Sequence, residues 1–517
     1  MGYIKVLFKA IKLISRGENL NAKNFLSGLL LIIISVISIL LCTNEMVDTS
    51  LFLSLLTSIL MIFWAKSSNG DYTNITVFFI AFNMLYGVSG PINAEWGEGL
   101  YPLFSRPYQT SEFLISYNMA NIGLVIGITV FNLISKRSSF QEPFNSKVSL
   151  ILQNCRKKLF KIACFLAFIA SISEVINLIR IGGISVLFSG KALYQSLSSS
   201  LTLTLPSSDF MIIAFSFFGL FLGVAYKNKD YSKGTISSII KFSLVSLPFI
   251  LLNTILGQRG ILLTLFIGIL IGVTYYNPIK KIKPKLVIVV LVFYVFLSFL
   301  FANRSNMYLL KDNFSDFMET AFEKNRIVEA LNPGGNEFGA AFGNYSEFYL
   351  KNNNDFDVKL GETYVKGLVM PIPSFLYPGE KPQQITYQFR DQYFASEASR
   401  GRIAGTAFSP ILEAYINFKQ FGVLMIYLLI GLFLQYFDKK FRYKSLLSSI
   451  IYISLISTTV IFHRSAFGDV FSIFVLRIGI IFVAFLTIGI NLLKVKSQQN
   501  EWKDEQFRLR NDNYEKN

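Results

Sequence analysis

Apolar residues in this chain gather into about twelve runs, each close to the roughly 20 residues that carry an α-helix across a bilayer. The runs cover residues 25–42, 51–65, 75–90, 113–134, 160–179, 209–226, 242–256, 261–276, 286–302, 421–437, 446–462 and 471–491. Those at 51–65 and 242–256 are short, so their ends are soft. One long gap, 303–408, interrupts the regular spacing.

The polar stretches between the runs alternate in charge. Lys5, Lys9, Lys12, Arg16 and Lys23 precede the first run, and Lys66 follows the second. The next basic group is Lys136, Arg137, Lys147, Arg156, Lys157, Lys158 and Lys161. Lys227 to Lys241, Lys280 to Lys285, Lys439 to Lys444 and the tail from Lys494 to Lys516 continue the series. The intervening short loops hold only Arg106, Arg180, Lys191, Arg259 and Arg464. Basic loops stay on the cytoplasmic side, which predicts both termini inside and the short, poorly charged loops outside. The predicted architecture is an all-α polytopic membrane protein of about 12 transmembrane helices with one large outer loop of short helices.

This layout divides the chain into five parts. Residues 1–24 form a cytoplasmic amphipathic start, where Lys5, Lys9 and Lys12 oppose Val6, Leu7, Ile11 and Ile14; such a helix lies in the headgroup plane. Residues 25–302 hold helices one to nine, 303–408 the large periplasmic or extracellular loop, and 409–493 an outer re-entrant helix followed by helices ten to twelve. Residues 494–517 form a polar cytoplasmic tail. The large loop has 11 basic and 13 acidic side chains across 304–408, so it is no polybasic arm. Helical spacing is expected over 338–350 and 387–393, a turn over 352–357, and a rigid stretch at Pro371, Pro373 and Pro378.

Composition narrows the class further. Of 517 residues 52% are hydrophobic and only 16% charged, with 51 Phe, too apolar for a soluble protein of this size. The net charge of +17 sits in short loops beside apolar runs, not on a soluble face that would bind nucleic acid. Cys42, Cys155 and Cys164 lack metal or redox spacing and fall in no predicted outer loop, so no structural disulfide is expected. Walker-type phosphate loops, zinc-ligand clusters and a Gly-x-Ser-x-Gly element are missing from the sequence. Asp355-Phe-Asp357 fits the metal motif of nucleotide-sugar transferases but falls on the outer side, where nucleotide sugars are not supplied, and reads as a turn.

Candidate chemistry lies on the predicted outer face. Arg259 sits in the tight turn Leu256-Gly-Gln-Arg-Gly260, next to Gln258. Arg304 follows a run, Arg390, Arg400 and Arg402 close the large loop, and Arg464 follows His463 in another short turn. Arg477 lies inside the last run, where an ionised side chain needs a polar cavity or a partner. Pairing with Asp469 or Glu174 is one reading. The other is that these guanidinium groups line an anion site, where their planar fork suits phosphate oxygens such as those of a polyprenyl diphosphate.

Ser409 and Pro410 form a helix start. Glu413 and Asn417 then share one face, with Tyr415 turned elsewhere. Glu413 beside outer arginines can accept a proton from a sugar hydroxyl; it can equally be a helix-end carboxylate paired with a Lys or Arg. Tyr415, Asn417 and Gln258 are the substrate-positioning candidates. His463, the single histidine, is a catalytic candidate or a structural hydrogen-bonder. No cofactor or metal is called for.

Multiple spans, one large late loop, Gly257-Gln-Arg-Gly260 and Ser409-Pro-x-x-Glu413-x-Tyr-x-Asn417 followed by Gly422 resemble the Wzy-type repeat-unit polymerases that make O-antigen and capsular polysaccharide. Some members carry Arg, ten residues and Gly in two outer loops. Arg390 to Gly401 fits that spacing, whereas Arg180 to Gly190 misses by one. The resemblance implies glycosyl transfer at the outer leaflet of a bacterial inner membrane. A growing chain on undecaprenyl diphosphate would be the donor and one lipid-linked repeat unit the acceptor. Arginines would then stabilise the departing diphosphate without a metal, and Glu413 would activate the acceptor hydroxyl. The large loop would close over the sugars and exclude water. A flippase and a chain-length regulator would be partners. An O-antigen ligase of the same architecture and a lipid-linked oligosaccharide flippase or exporter remain alternatives.

Overall fold

Continuous apolar runs fold as helices because a bilayer leaves no other partner for backbone polar groups. The computed structural model describes residues 20–96, 109–135, 146–187, 197, 205–228, 233–275, 278–303, 309, 313–323, 337–352, 356–373, 376–396, 407–442 and 444–487. The described residues contain seventeen α-helices, one short π-helix and no strand. The first ten are α1 (Leu20–Thr43), α2 (Val47–Asn69), α3 (Ile75–Trp96), α4 (Thr110–Ile134), α5 (Ser146–Arg180), α6 (Ile184–Leu187), α7 (Ser207–Lys227), α8 (Lys233–Ile255), α9 (Arg259–Thr274) and α10 (Pro284–Asn303). Short helices follow: α11 (Phe314–Ala321), α12 (Glu337–Asn352), α13 (Glu362–Val369) and α14 (Ile385–Tyr393). The last are α15 (Pro410–Tyr436), α16 (Leu446–Phe462) and α17 (Phe467–Thr487).

Among the described residues, nine helices are long and apolar enough to cross a membrane, from Asn24–Thr43 to Phe467–Leu486. Gly260–Thr274, Pro284–Phe299 and Leu446–Phe462 are apolar but shorter. The chain is thus a multi-pass, all-helical protein over these residues. The expected amphipathic start at 3–14 and the tail from Lys494 lie outside the described residues.

Membrane helices gain little from the hydrophobic effect against lipid, so close backbone approach and buried hydrogen bonds must hold them together. Both occur. Helix α4 packs along α15 because Gly127 brings the Leu428 carbonyl to 2.1 Å from where a Cβ would stand. Between α1, α2 and α4, Ser38 Oγ lies 2.8 Å from Ser50 Oγ and 3.0 Å from Ser54 Oγ, and Asn118 Nδ2 donates to Ser54 Oγ at 2.8 Å. A second group joins α5, α7, α8 and α9, and α16 with α17 packs against it.

One end of the bundle is locked by buried charge. Arg442 pairs with Asp71 at 3.0 Å, and the Tyr275 hydroxyl donates to the Arg442 carbonyl. In the π-turn Phe437–Phe441, Asp438 accepts from the Ile75 amide, the Thr76 amide and hydroxyl, Asn69 and Tyr452. Helix α15 ends at this lock and α16 starts from it.

At the opposite ends of α15 and α16 sit the short helices. Phe342 of α12 packs on Gly90 and Phe113, and Tyr345 Oη lies 2.7 Å from Ser116 Oγ on α4. Gly367 of α13 meets Gly468 of α17. Of the segment between α10 and α15, the described helices α12 and α13 are thus docked on the membrane-helix ends.

Candidate functional site

The Ser409 side chain caps α15 by accepting from the Leu412 amide at 3.1 Å, with Pro410 in the first helical position. The helix runs straight to Asn417 and then breaks: Phe418 has φ −148°, and Lys419 has φ 53° with ψ −151°. Gly422 makes the fold-back possible. A Cβ there would lie 2.4 Å from the Phe418 Cβ and 2.8 Å from the Ala414 carbonyl.

Asn417 fastens this elbow to the chain before α13. Its Nδ2 donates to the Glu413 carbonyl at 2.8 Å and to Thr363 Oγ1 at 2.7 Å, and its Oδ1 accepts from the Gly361 amide at 3.0 Å. The Lys359 and Leu360 amides bond the carbonyls of Ile416 and Asn417. Gly361 has φ 89°, so the turn suits a residue without a side chain.

These contacts fix the carboxylate. Glu413 is 1% exposed. Thr363 Oγ1 donates to its Oε1 at 2.9 Å and the Phe467 amide to its Oε2 at 2.7 Å. Both donors are neutral, and no basic side chain pairs with Glu413 among the described residues. A helix-end Glu offset by Lys or Arg is therefore not what the fold builds. Tyr415 faces away, buried with Tyr345, Phe348 and Phe356. It packs the loop helices onto α15 and presents no open surface.

The stretch from His463 to Phe467, joining α16 to α17, makes three contacts that bear on the candidate site. The Phe467 amide binds Glu413. Arg464 reaches the first turn of α9, its Nη1 3.3 Å from where a Gly260 Cβ would stand. Gln258 is the cap residue of α9 and Arg259 opens it; the Arg259 side chain lies outside the described residues. His463 ends α16 against Phe79 at 4.5 Å and Tyr86 at 6.0 Å. Its ring bonds the Phe79 backbone, Nε2 has no partner, and burial pushes the imidazole down to about 3, so it stays neutral.

The other arginines separate. Arg477 is 1% exposed, but its Nε donates to Asp209 Oδ1 at 2.7 Å and its Nη1 to Thr458 Oγ1 at 2.8 Å. This corrects the expected partners. Asp209 stands in the first turn of α7, which packs against α17, whereas Asp469 accepts from Thr386 and Glu174 from Ser207. Arg390 bonds its neighbour Asp391 at 2.6 Å and lies over the Tyr387 ring. Arg304, Arg400 and Arg402 lie outside the described residues, as does Asp355. Of the six proposed diphosphate ligands, Arg464 is the one whose described side chain reaches the first turn of α9, which Arg259 opens.

Sequence reasoning missed Thr363, Lys359 and Lys366. They line a groove beside Glu413 with Gln384, Gln388 and Asp469. Gly361-Glu-Thr363 marks a helix start, yet nothing local ties Thr363 to a carboxylate 50 residues away.

The family model for O-antigen polysaccharide polymerase Wzy matches residues 25–496. The chain belongs to that family. No curated protein and no solved structure gave a match. As a Wzy protein the chain is a membrane polysaccharide polymerase acting on lipid-linked repeat units, and a ligase or flippase is not favoured. The matched span contains the Glu413 elbow, the 463–467 link and the turn at Gly257–Gly260.

Proposed function

We propose that this polymerase joins polyprenyl-diphosphate-linked repeat units at the outer face of the bacterial inner membrane, with Glu413 as base and Arg464 and Arg259 as diphosphate ligands. The observation that carries this reading is the link 463–467, which touches both the Glu413 carboxylate and the Gly260 turn. Reacting groups held by one short segment keep their spacing, which is what positioning a nucleophile against a leaving group requires.

Glu413 takes the proton of an acceptor hydroxyl as its oxygen attacks the anomeric carbon of the growing chain. The bond from that carbon to the diphosphate oxygen breaks, and the electron pair leaves on the lipid diphosphate. Arg464, Arg259 and the first-turn amides of α9 stabilise that charge, with Gln258 and Asn417 as positioning groups. In this scheme Arg477 binds no ligand; it holds α7 to α17 through Asp209. Arg304, Arg390 and Arg402 belong to the loop that closes over the sugars. Desolvation by that loop limits hydrolysis.

The topology that goes with this reading has twelve spans, the three shorter apolar helices completing the nine, with both termini cytoplasmic. Segment 303–408 is then outside, supplied by a flippase and paced by a chain-length regulator.

The test is Glu413→Gln in cells. The protein should reach the membrane at normal level while the lipid carrier holds only single repeat units. Polymer of ordinary length from this variant would remove Glu413 from the role of base.

A further inference from the structure

Buried polar atoms are almost always paired, and the exceptions in a native fold mark places where something absent supplies the bond. Three exceptions lie on the elements that hold the Glu413 elbow: α13, α15 and the end of α16. The Tyr427 hydroxyl on α15 has no partner although the residue is 0% exposed, His463 Nε2 has none at 2% exposure, and the buried Tyr364 hydroxyl on α13 has none.

They share one neighbourhood. The Phe79 ring is 4.5 Å from His463 and 6.3 Å from Tyr427. The Tyr364 ring is 5.6 Å from that of Phe467, whose amide binds Glu413. Burial first, then the Glu413 charge and the Tyr427 hydroxyl, push the Tyr364 phenol above its ordinary range.

The chemistry of the set is specific. With its other nitrogen bonded to the Phe79 backbone, neutral His463 offers Nε2 as an acceptor. Each phenol can donate and accept. Rings of Phe79 and Tyr86 flank His463, and that of Phe467 flanks Tyr364. Hydroxyl-directed bonds beside aromatic faces match a sugar ring, which carries hydroxyls on its edge and C–H groups on its faces.

Resting on Glu413 as the base, we infer that Tyr364, Tyr427 and His463 form the pocket that binds the hydroxyls of the acceptor sugar. The three groups hold the repeat unit so that one hydroxyl meets Glu413. They choose the acceptor, while Arg464 and Arg259 hold the donor diphosphate.

The test uses purified full-length protein in vesicles, a fixed concentration of lipid-linked oligomer as donor, and varied single repeat unit isolated from cells lacking the polymerase. Tyr427→Phe and Tyr364→Phe each delete one hydroxyl without changing ring shape. Each should raise KM for the single repeat unit about fivefold to tenfold, the worth of one hydrogen bond, with kcat and donor KM within twofold. Removing an unpaired buried hydroxyl should leave the thermal midpoint without substrate equal or higher, which separates lost binding from lost folding. Unchanged acceptor KM in both variants, or a loss confined to kcat, overturns the inference and leaves the polymerase reading intact; the pocket then holds only water. Wild-type protein that makes no polymer overturns both.

Discussion

Glu413 and Arg464 are 51 positions apart in the chain yet belong to one arrangement, because the amide of Phe467 bonds the first and the same link carries the second. Arg464→Ala should lower chain extension roughly 100- to 1000-fold, the cost of losing one preorganised charge-stabilising donor. The readout is the ratio of single repeat units to polymer on the lipid carrier, at unchanged protein level. A normal length distribution would remove Arg464 from the site. At this scale the sequence was legible where the signal was local. Glu413 and Asn417, four residues apart, do meet at one side chain, Thr363. Partners far along the chain were not legible: Arg477 finds Asp209, 268 positions away, because α7 and α17 pack together.

The element that carries the carboxylate is a broken helix. Gly422→Ala pushes a methyl group into Phe418 and the Ala414 carbonyl. It should cost about 1–3 kcal/mol by overpacking, read as a lower thermal midpoint in detergent, with chain extension lost in proportion as Glu413 shifts. A midpoint equal to wild type would show that the elbow is not tight. At the other end of α15, Arg442→Ala strands buried Asp71 and should cost about 3–5 kcal/mol. Less protein should reach the membrane, but activity per molecule should be retained, because the lock lies at the far end of α15. Loss of activity at normal protein level would place Arg442 in function. Among the described residues the long apolar runs are helices, as their pattern implies. The apolar run at 51–65 is shorter than its helix: α2 extends over Val47–Asn69, and its polar Ser50, Ser54 and Ser58 face α1 and α4, not lipid. A hydropathy reading counts such serines as exposed.

For the whole molecule, the charge alternation sets a topology that cysteine labelling can check. Leu360 is 75% exposed beside the site and Ile282 is 51% exposed before α10, so cysteines at both positions are open to reagent. A membrane-impermeant maleimide applied to intact spheroplasts should label position 360 and spare 282; the reverse pattern overturns the orientation. The central claim is that one link unites a base and a diphosphate grip into a single polymerising centre. Its most direct measurement is polymer formation and polyprenyl diphosphate release by purified protein in vesicles given a lipid-linked repeat unit. Wild type should release one polyprenyl diphosphate per bond and build a ladder, while Glu413→Gln and Arg464→Ala leave the single unit intact. A full ladder from either variant would contradict the account.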